Sequence, residues 1–308
     1  MELSISPSFQ GSLLDTSPEA FGSLRSSSDA LSDIKELRWR FEQDGYLYLP
    51  GLLDRNQVLA ARLEMLRKLE AAGCLDPDYP MEDGVAHADF ENAFMVELTK
   101  DNPPLLELLY DGPMMDFYRQ FLGGEVRHFD YTWCRSKPPG ETTATPPHYD
   151  IVFMGRGTQR LYTSWTPLGD MPIEMGGLMI LENSHRLEEI KADYGTLDVD
   201  AYCTNYPDAE EIESGEKLWQ NPNGGAFSLD AVAARAELRS RWLTTDYAMG
   251  DLLVFSMYTM HASMDNQTNQ IRLSTDTRYQ LASEPVDERW IGDNPIAHGL
   301  ESKRGMIC

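Results

Sequence analysis

The sequence predicts a mainly β protein with α-helices in front: a helical N-terminal third, then a sandwich, jelly roll or barrel of short strands. Three observations predict it. Apolar residues recur at three- and four-residue steps between Leu31 and Gly124, the repeat of helices with one buried stripe. From Glu125 onward the texture changes to short aromatic and β-branched runs separated by Gly, Pro, Asn and Asp, as strands closed by turns require. No internal repeat is visible, and no apolar run approaches membrane-spanning length.

Residues 1–30, with GSLLDTSPEAFGSLRSSSDA, are rich in Ser, Gly and Pro and are expected to form a disordered or loosely docked tail. Helical spacing begins in LSDIKELRWRFEQDGY, and YLYLPGLL is a short strand closed by Pro50-Gly51. In DRNQVLAARLEMLRKLEAAG, Asp54 is placed to cap a helix and Gly73 to stop it. PLLELLYDGPMMDFYRQFLGG predicts a further helix pair. The strand-like runs are EVRHFDYTWCRSK, QRLYTSWTPL, GGLMILENSH, DLLVFSMYTMHASM and IRLSTDTRYQLA. The expected organisation is one domain over 31–308. It has a helical part (31–124), a β core (125–283) with an insertion at about 187–243, and a tail (284–308). The insertion has an acidic middle, DAEEIESGEK, and lies between core strands, where it serves either as a solvated face or as a lid.

The chain has 308 residues, with 26 Lys or Arg against 50 Asp or Glu and a formal net charge of -24. So acidic a surface repels phosphates and anionic headgroups, which disfavours nucleic acid and membrane surfaces as partners. Nothing in the sequence specifies an oligomeric state. Cys74, Cys134, Cys203 and Cys308 show no paired spacing, which fits a reducing compartment and no cysteine-based metal site. The first residues lack the basic and apolar blocks of a signal peptide, so a cytoplasmic location is expected.

The chemistry centres on PPHYDIVFMG, where His148 and Asp150 lie two residues apart. Alternate side chains share a face of a strand, so the pair is expected to point one way. One more neutral imidazole would complete a two-histidine, one-carboxylate set, which holds one face of an octahedral Fe(II) and leaves three positions open. The candidate is His261, at the far end of the strand in GDLLVFSMYTMHAS. Eleven residues later Arg272 opens RLSTDTRYQ, whose Arg272, Ser274, Asp276 and Arg278 share a face. A permanently charged guanidinium beside an open metal site suits the grip of a carboxylate. The bland alternative pairs Arg272 with Asp276 or Asp251, and Arg278 reads as structural. His87 and Asp89 form a second His-x-Asp, in the loop-like GVAHADF. His185 reads as a turn residue, and His128 and His298 have no supporting pattern. In DYTWCRSK, Tyr131, Trp133 and Arg135 share a face that either packs the sheet or lines a substrate pocket.

Taken in order, several blocks carry a resemblance: DGYLYLPGLL, KPPG, HYD, SWTPLGDMPIEMGGLMILENSH, GDLLVFSMYTMHAS and RLSTDTRYQ. From about Asp44 to Gln280 the chain resembles the phytanoyl-CoA hydroxylase family of Fe(II)/2-oxoglutarate-dependent dioxygenases. Met175 and Asn183 depart from the family's commoner letters at turns. The resemblance implies a double-stranded β-helix, the cupin-type jelly roll, flanked by N-terminal helices. It implies Fe(II) held by His148, Asp150 and His261. 2-Oxoglutarate would have its far carboxylate on Arg272, with Ser263 adding a hydrogen bond and Trp165 as a wall. O2 would be the second co-substrate. The implied reaction oxidises a C–H of a small organic molecule, with release of succinate and CO2. Because Asp150 is present, hydroxylation or another oxidation is favoured over halogenation. Two other readings stay open: a non-catalytic cupin-like ligand-binding module, and a metal-dependent isomerase or hydrolase on a jelly roll. The acidic balance argues against a CoA thioester substrate, whose phosphates would want basic residues at the mouth.

Overall fold

The structure, a computed structural model, describes residues 6–140 and 143–308. Its first part corrects the expectation of a loose tail. β1 (Ser8–Phe9) and β2 (Ser12–Leu13) form a hairpin. Asp265 pins it by accepting hydrogen bonds from Ser8 Oγ and the amides of Gln10 and Gly11. β3 (Phe21–Ser23) joins a core sheet. The Ser- and Gly-rich composition hides six buried apolar residues, Phe9, Leu14, Ala20, Phe21, Leu24 and Ala30. Residues 1–5 of that expected tail lie outside the described residues.

Helix α1 (Ile34–Asp44) starts on an Asp33 cap and ends at Gly45, whose φ of 75° a residue with a Cβ rarely adopts. β4 (Tyr46–Leu49) follows. In α2 (Arg55–Ala71) the Asp54 carboxylate accepts from the Asn56 and Gln57 amides, as its position predicts. α3 (Pro103–Tyr110) and α4 (Gly112–Leu122) complete the helical part. Then come β5 (Val126–His128), β6 (Trp133–Lys137), the single-turn α5 (Ile151–Met154), β7 (Tyr162–Pro167) and β8 (Leu178–Leu181). The 187–243 region holds α6 (Glu188–Ala192), β9 (Ala201–Cys203), α7 (Ala209–Ser214) and α8 (Ala231–Leu238). β10 (Trp242–Thr244), β11 (Leu252–Ser256), β12 (His261–Ser263), β13 (Arg272–Leu281) and β14 (Arg304–Met306) end the chain.

Two sheets carry the β part. One runs β4-β11-β7-β13-β5, with β6 also paired to β13; the other runs β12-β8-β10-β3. All pairings within them are antiparallel except β10 with β3. The period of two along each strand decides which side chain faces what. On the larger sheet, Leu47, Leu49, Leu252, Val254, Leu273 and Tyr279 join the cluster of the helices, with Leu37, Met65, Leu109 and Tyr118. The alternate residues Tyr46, Tyr48, Trp165, Leu253 and Phe255 instead meet Leu178, Ile180 and Leu243 of the smaller sheet. Each such large side chain taken from water contributes roughly 1.5–3 kcal/mol. The space between the sheets is therefore a core at the β4 and β11 end. Towards β13 and β6 the same inward face turns polar, with Arg272, Ser274, Asp276 and Arg278.

The cysteine reading is also corrected. Cys203 and Cys308 form a disulfide, with Cα atoms 5.5 Å apart. A gap of 105 residues carries no spacing signal; it is the parallel pairing of β14 with β9 that brings the two together. Cys74 and Cys134 are free thiols. No helix among the described residues is long and apolar enough to cross a membrane.

Candidate active site

His261 opens β12 opposite Ile180, on the inward face of the smaller sheet. His148 joins the same edge: the two histidines exchange backbone hydrogen bonds, N to O, at 3.1 Å each. The strand expected through His148 and Asp150 ends there. Asp150 already has helical dihedrals (φ -64°, ψ -28°) and starts α5. Strand alternation is thus the wrong reason for the pair's convergence; a turn after a single bridge brings the carboxylate round.

The three side chains converge. One ligand atom from each of His148, Asp150 and His261 lies within 4.8 Å of the others, and among the described residues this is the metal-competent group. Both Nε2 atoms stand 3.7 Å from the same carboxylate oxygen, Asp150 Oδ1. Each Nδ1 sits against a backbone carbonyl, Pro146 O at 2.8 Å and Thr259 O at 3.0 Å. A carbonyl only accepts, so Nδ1–H donates and each Nε2 lone pair is left for a metal. The other Asp150 oxygen, Oδ2, accepts from Thr163 Oγ1 and, at 3.0 Å, from Arg278 Nη2. Burial would raise the Asp150 carboxyl, but Arg278, with His261 and His148, holds it well below the usual carboxylate range. Burial pushes His148 down to about 3, helped by His261, and lowers His261 too. Two neutral imidazoles and one carboxylate, oriented before any ion arrives, fit a ferrous ion with open positions.

Arg272 is 1% exposed. It donates to the Gly176 carbonyl and weakly to Ser274, and its Nε has no partner. The ion pair offered as the bland alternative is absent: no carboxylate among the described residues pairs with it. Asp276 instead binds Arg135 at 3.0 Å, and Asp251 takes Tyr48, Gly51 and Ala248. Burial pushes the Arg272 guanidinium down to about 10. In register opposite it is Lys137, whose ammonium donates to Ser263 Oγ and Thr145 Oγ1, both at 2.7 Å, and to the Thr143 carbonyl. Ser263 Oγ also accepts from the Thr145 amide at 2.8 Å. Trp165 is buried edge-on against Tyr247, with ring centroids 4.6 Å apart.

A cavity of about 180 Å³ opens beside His148 and Asp150. Trp133 and Arg135 line it, as do His148, Asp150, Arg278 and His298, and Asn223, Gly224 and Ala226 of the insertion close one side. Tyr131 is not among its lining. It precedes β6, where alternation does not hold, and packs behind on Trp133 and Trp290. His87 and Asp89 sit exposed at the surface, 3.7 Å apart. His185 holds the Glu42 carbonyl at a turn. Four residues around the site were missed: Arg278, Thr163, Lys137 and His298. For Arg278 the signal was present, in its strand face shared with Arg272. For His298 there was none, because only the fold brings the C-terminal segment back to the cavity.

The family model described as Phytanoyl-CoA dioxygenase (PhyH) matches residues 41–274. The chain belongs to the phytanoyl-CoA dioxygenase family. 1-Deoxypentalenic acid 11-beta-hydroxylase of Streptomyces exfoliatus is 26% identical over 265 residues, 82% of this chain and 83% of that one. The enzyme of the same name from Streptomyces arenae is 25% identical over 273 residues, covering 86% and 87%. Solved structures share the fold. The carbocyclase SnoK from nogalamycin biosynthesis has a TM-score of 0.58 at 16% identity, covering 85% of this chain and 90% of its own. EctD from S. alaskensis, with 2-oxoglutarate and 5-hydroxyectoine, has 0.56 at 18%, covering 99% and 97%. This phytanoyl-CoA dioxygenase family member is an iron- and 2-oxoglutarate-dependent dioxygenase, an oxidoreductase acting on small organic molecules.

Proposed function

We propose that the protein hydroxylates an unactivated C–H of a small organic molecule in the cavity beside His148 and Asp150. One observation carries this reading: the convergence of His148, Asp150 and His261 in a space that also holds a buried arginine with no carboxylate partner. In this reading His148 Nε2, His261 Nε2 and Asp150 Oδ1 hold Fe(II). When bound, the iron and 2-oxoglutarate supply the oxidising chemistry, with O2 consumed and succinate and CO2 released. The protein supplies placement. The Pro146 and Thr259 carbonyls fix the imidazoles, and Thr163 and Arg278 fix the carboxylate. Arg272 grips the far carboxylate of the co-substrate. Ser263, whose oxygen already accepts from Lys137 and Thr145, donates its own proton, and Trp165 walls the space. Trp133 and Arg135 face the substrate, while Tyr131 supports Trp133 from behind.

The same reading takes the two sheets as a double-stranded β-helix, with α1–α4 as its outer support. Residues 31–308 form one oxygenase domain, and the 187–243 insertion is its lid over the cavity. The relatives named as hydroxylases of 1-deoxypentalenic acid support a free small-molecule substrate rather than a CoA thioester. A cytoplasmic site of action is part of the proposal, and thiol trapping before lysis would show whether Cys203–Cys308 is bonded there.

The test is anaerobic addition of Fe(II) and 2-oxoglutarate, followed by oxygen. The wild type should develop a visible charge-transfer band and release succinate slowly even without substrate. His148→Ala and Asp150→Ala should do neither. Variants indistinguishable from wild type would sink the assignment.

A further inference from the structure

Arg278 is 2% exposed and lines the cavity. One of its nitrogens, Nη2, is used by Asp150; the other two, Nε and Nη1, are buried without a partner. Its guanidinium carbon stands 4.2 Å from the Trp133 ring centroid, so the plane is held in place. Holding Asp150 needs one nitrogen. Leaving two others dry and unbonded costs free energy that a purely structural role does not recover.

Charge points the same way. In a chain of net charge -24, this cavity wall carries two arginines, Arg278 and Arg135. Asp150 and Asp276 balance them. A ferrous ion and a doubly charged oxo-acid would balance each other. Arg272, with the buried Lys137 opposite it, then leaves positive charge over, so the loaded site has room for a further negative charge.

We propose that Arg278, assisted by Arg135, binds the carboxylate of an anionic substrate, making the substrate of this dioxygenase a small organic acid oriented by its acid group beside Asp150. The inference rests on the dioxygenase reading and adds the substrate's chemical class. One free nitrogen, with the second N–H of Nη2, makes a parallel pair of donors that matches the two oxygens of a carboxylate. Trp133 and Phe153, which also line the cavity, offer apolar and aromatic surface to the body of the molecule. Arg278 is thus a specificity-determining residue.

The experiment uses protein loaded with Fe(II) and saturating 2-oxoglutarate under anaerobic conditions. The probes are cyclohexanecarboxylate and its neutral isostere, cyclohexanecarboxamide. Binding is read by calorimetry and by Trp fluorescence, and loading by the charge-transfer band. Wild type should bind the carboxylate about tenfold or more tightly than the amide. Arg278→Gln should lose that preference; because Arg278 also fixes Asp150, its band should weaken, and the preference is read on the protein that still forms it. Arg278→Lys should retain part of it, because charge survives and the fork does not. Arg135→Gln should reduce it less than Arg278→Gln. If Arg278→Gln loses the band, Arg278→Lys and Arg135→Gln decide, and an undiminished preference in both overturns the proposal. Three other results overturn it: no preference in wild type, a preference that persists in Arg278→Gln, or displacement of 2-oxoglutarate by the carboxylate. Failure of wild type to form the band at all would instead overturn the dioxygenase reading.

Discussion

Among the described residues three arginines are almost completely buried, yet two neighbouring regions treat them differently. Near the C-terminal segment, Arg289 spends every nitrogen. Nε and Nη2 bind Asp287 at 2.9 and 2.6 Å, Nη1 binds Asp200, and Nη2 also reaches the Phe153 carbonyl. Lys303 and His298 bind the same Asp200, each at 2.8 Å. Burial works against the Arg289 charge, but Asp287 and Asp200 more than offset it and its pKa is raised. Between the sheets the pattern reverses. Arg272 has no carboxylate, its pKa falls, and it and Arg278 keep unbonded nitrogens. A buried cation whose partners are all internal is part of the scaffold. One with donors to spare is waiting for an anion from outside.

The comparison is broken most directly by removing the cations in turn. Arg289→Met should cost about 3–5 kcal/mol of folding stability, since Asp287 and Asp200 would stay buried without it. Arg272→Met should leave stability within about 1 kcal/mol of wild type or improve it, because no buried carboxylate is orphaned. It should instead raise the concentration of 2-oxoglutarate needed for half-maximal succinate release about 100-fold, the cost of truncating one partner of a buried charged contact. Denaturant melts and succinate assays give both numbers. Equal stability losses would erase the distinction between the two regions.

Reduction of Cys203–Cys308 sharpens the same contrast. It releases the tie between the C-terminal strand β14 and β9 of the insertion, which lie on the scaffold side. Stability should fall by about 2–4 kcal/mol, while Fe(II) binding, followed by the charge-transfer band, should persist. A band lost on reduction would mean that the strap shapes the metal site.

The effect that is smallest per step, and builds gradually, is in pH. His148 and His261 titrate lower in the folded protein than in the unfolded chain, so the unfolded state binds more protons below their ordinary value. Metal-free protein should therefore lose stability as pH falls from 6.5 towards about 3, the folded value for His148. The slope for each group is at most about 1.4 kcal/mol per pH unit. Asp150, whose folded value is also depressed, adds a loss of the same sign further into acid. A melt insensitive to pH over that window would show the imidazoles to be solvated.

The residues legible in the sequence were those that regular elements present. His261 and Ser263 on β12, Arg272 on β13 and the cap at Asp54 follow from periodicity and local chemistry. The residues that were not legible depend on chain reversals that leave no local trace. Asp150 arrives by a turn, Tyr131 precedes its strand, and Cys308 returns to Cys203 across 105 residues. The docked N-terminal segment was hidden for a related reason. Its anchors are few, and their burial is supplied by β10 and Asp265 far along the chain. Arg278 was visible on its strand face, but its hold on Asp150 was not, because a shared face does not reveal a cation's partners.

The central claim is that three side chains make one metal centre and that an arginine with no internal carboxylate serves it. A crystal structure of the protein soaked with Mn(II) and 2-oxoglutarate tests it most directly. The account requires an anomalous peak bounded by His148 Nε2, His261 Nε2 and Asp150 Oδ1, with the distal carboxylate on the Arg272 guanidinium. A metal bound elsewhere, or a 2-oxoglutarate held by Arg278 with Arg272 untouched, would contradict it.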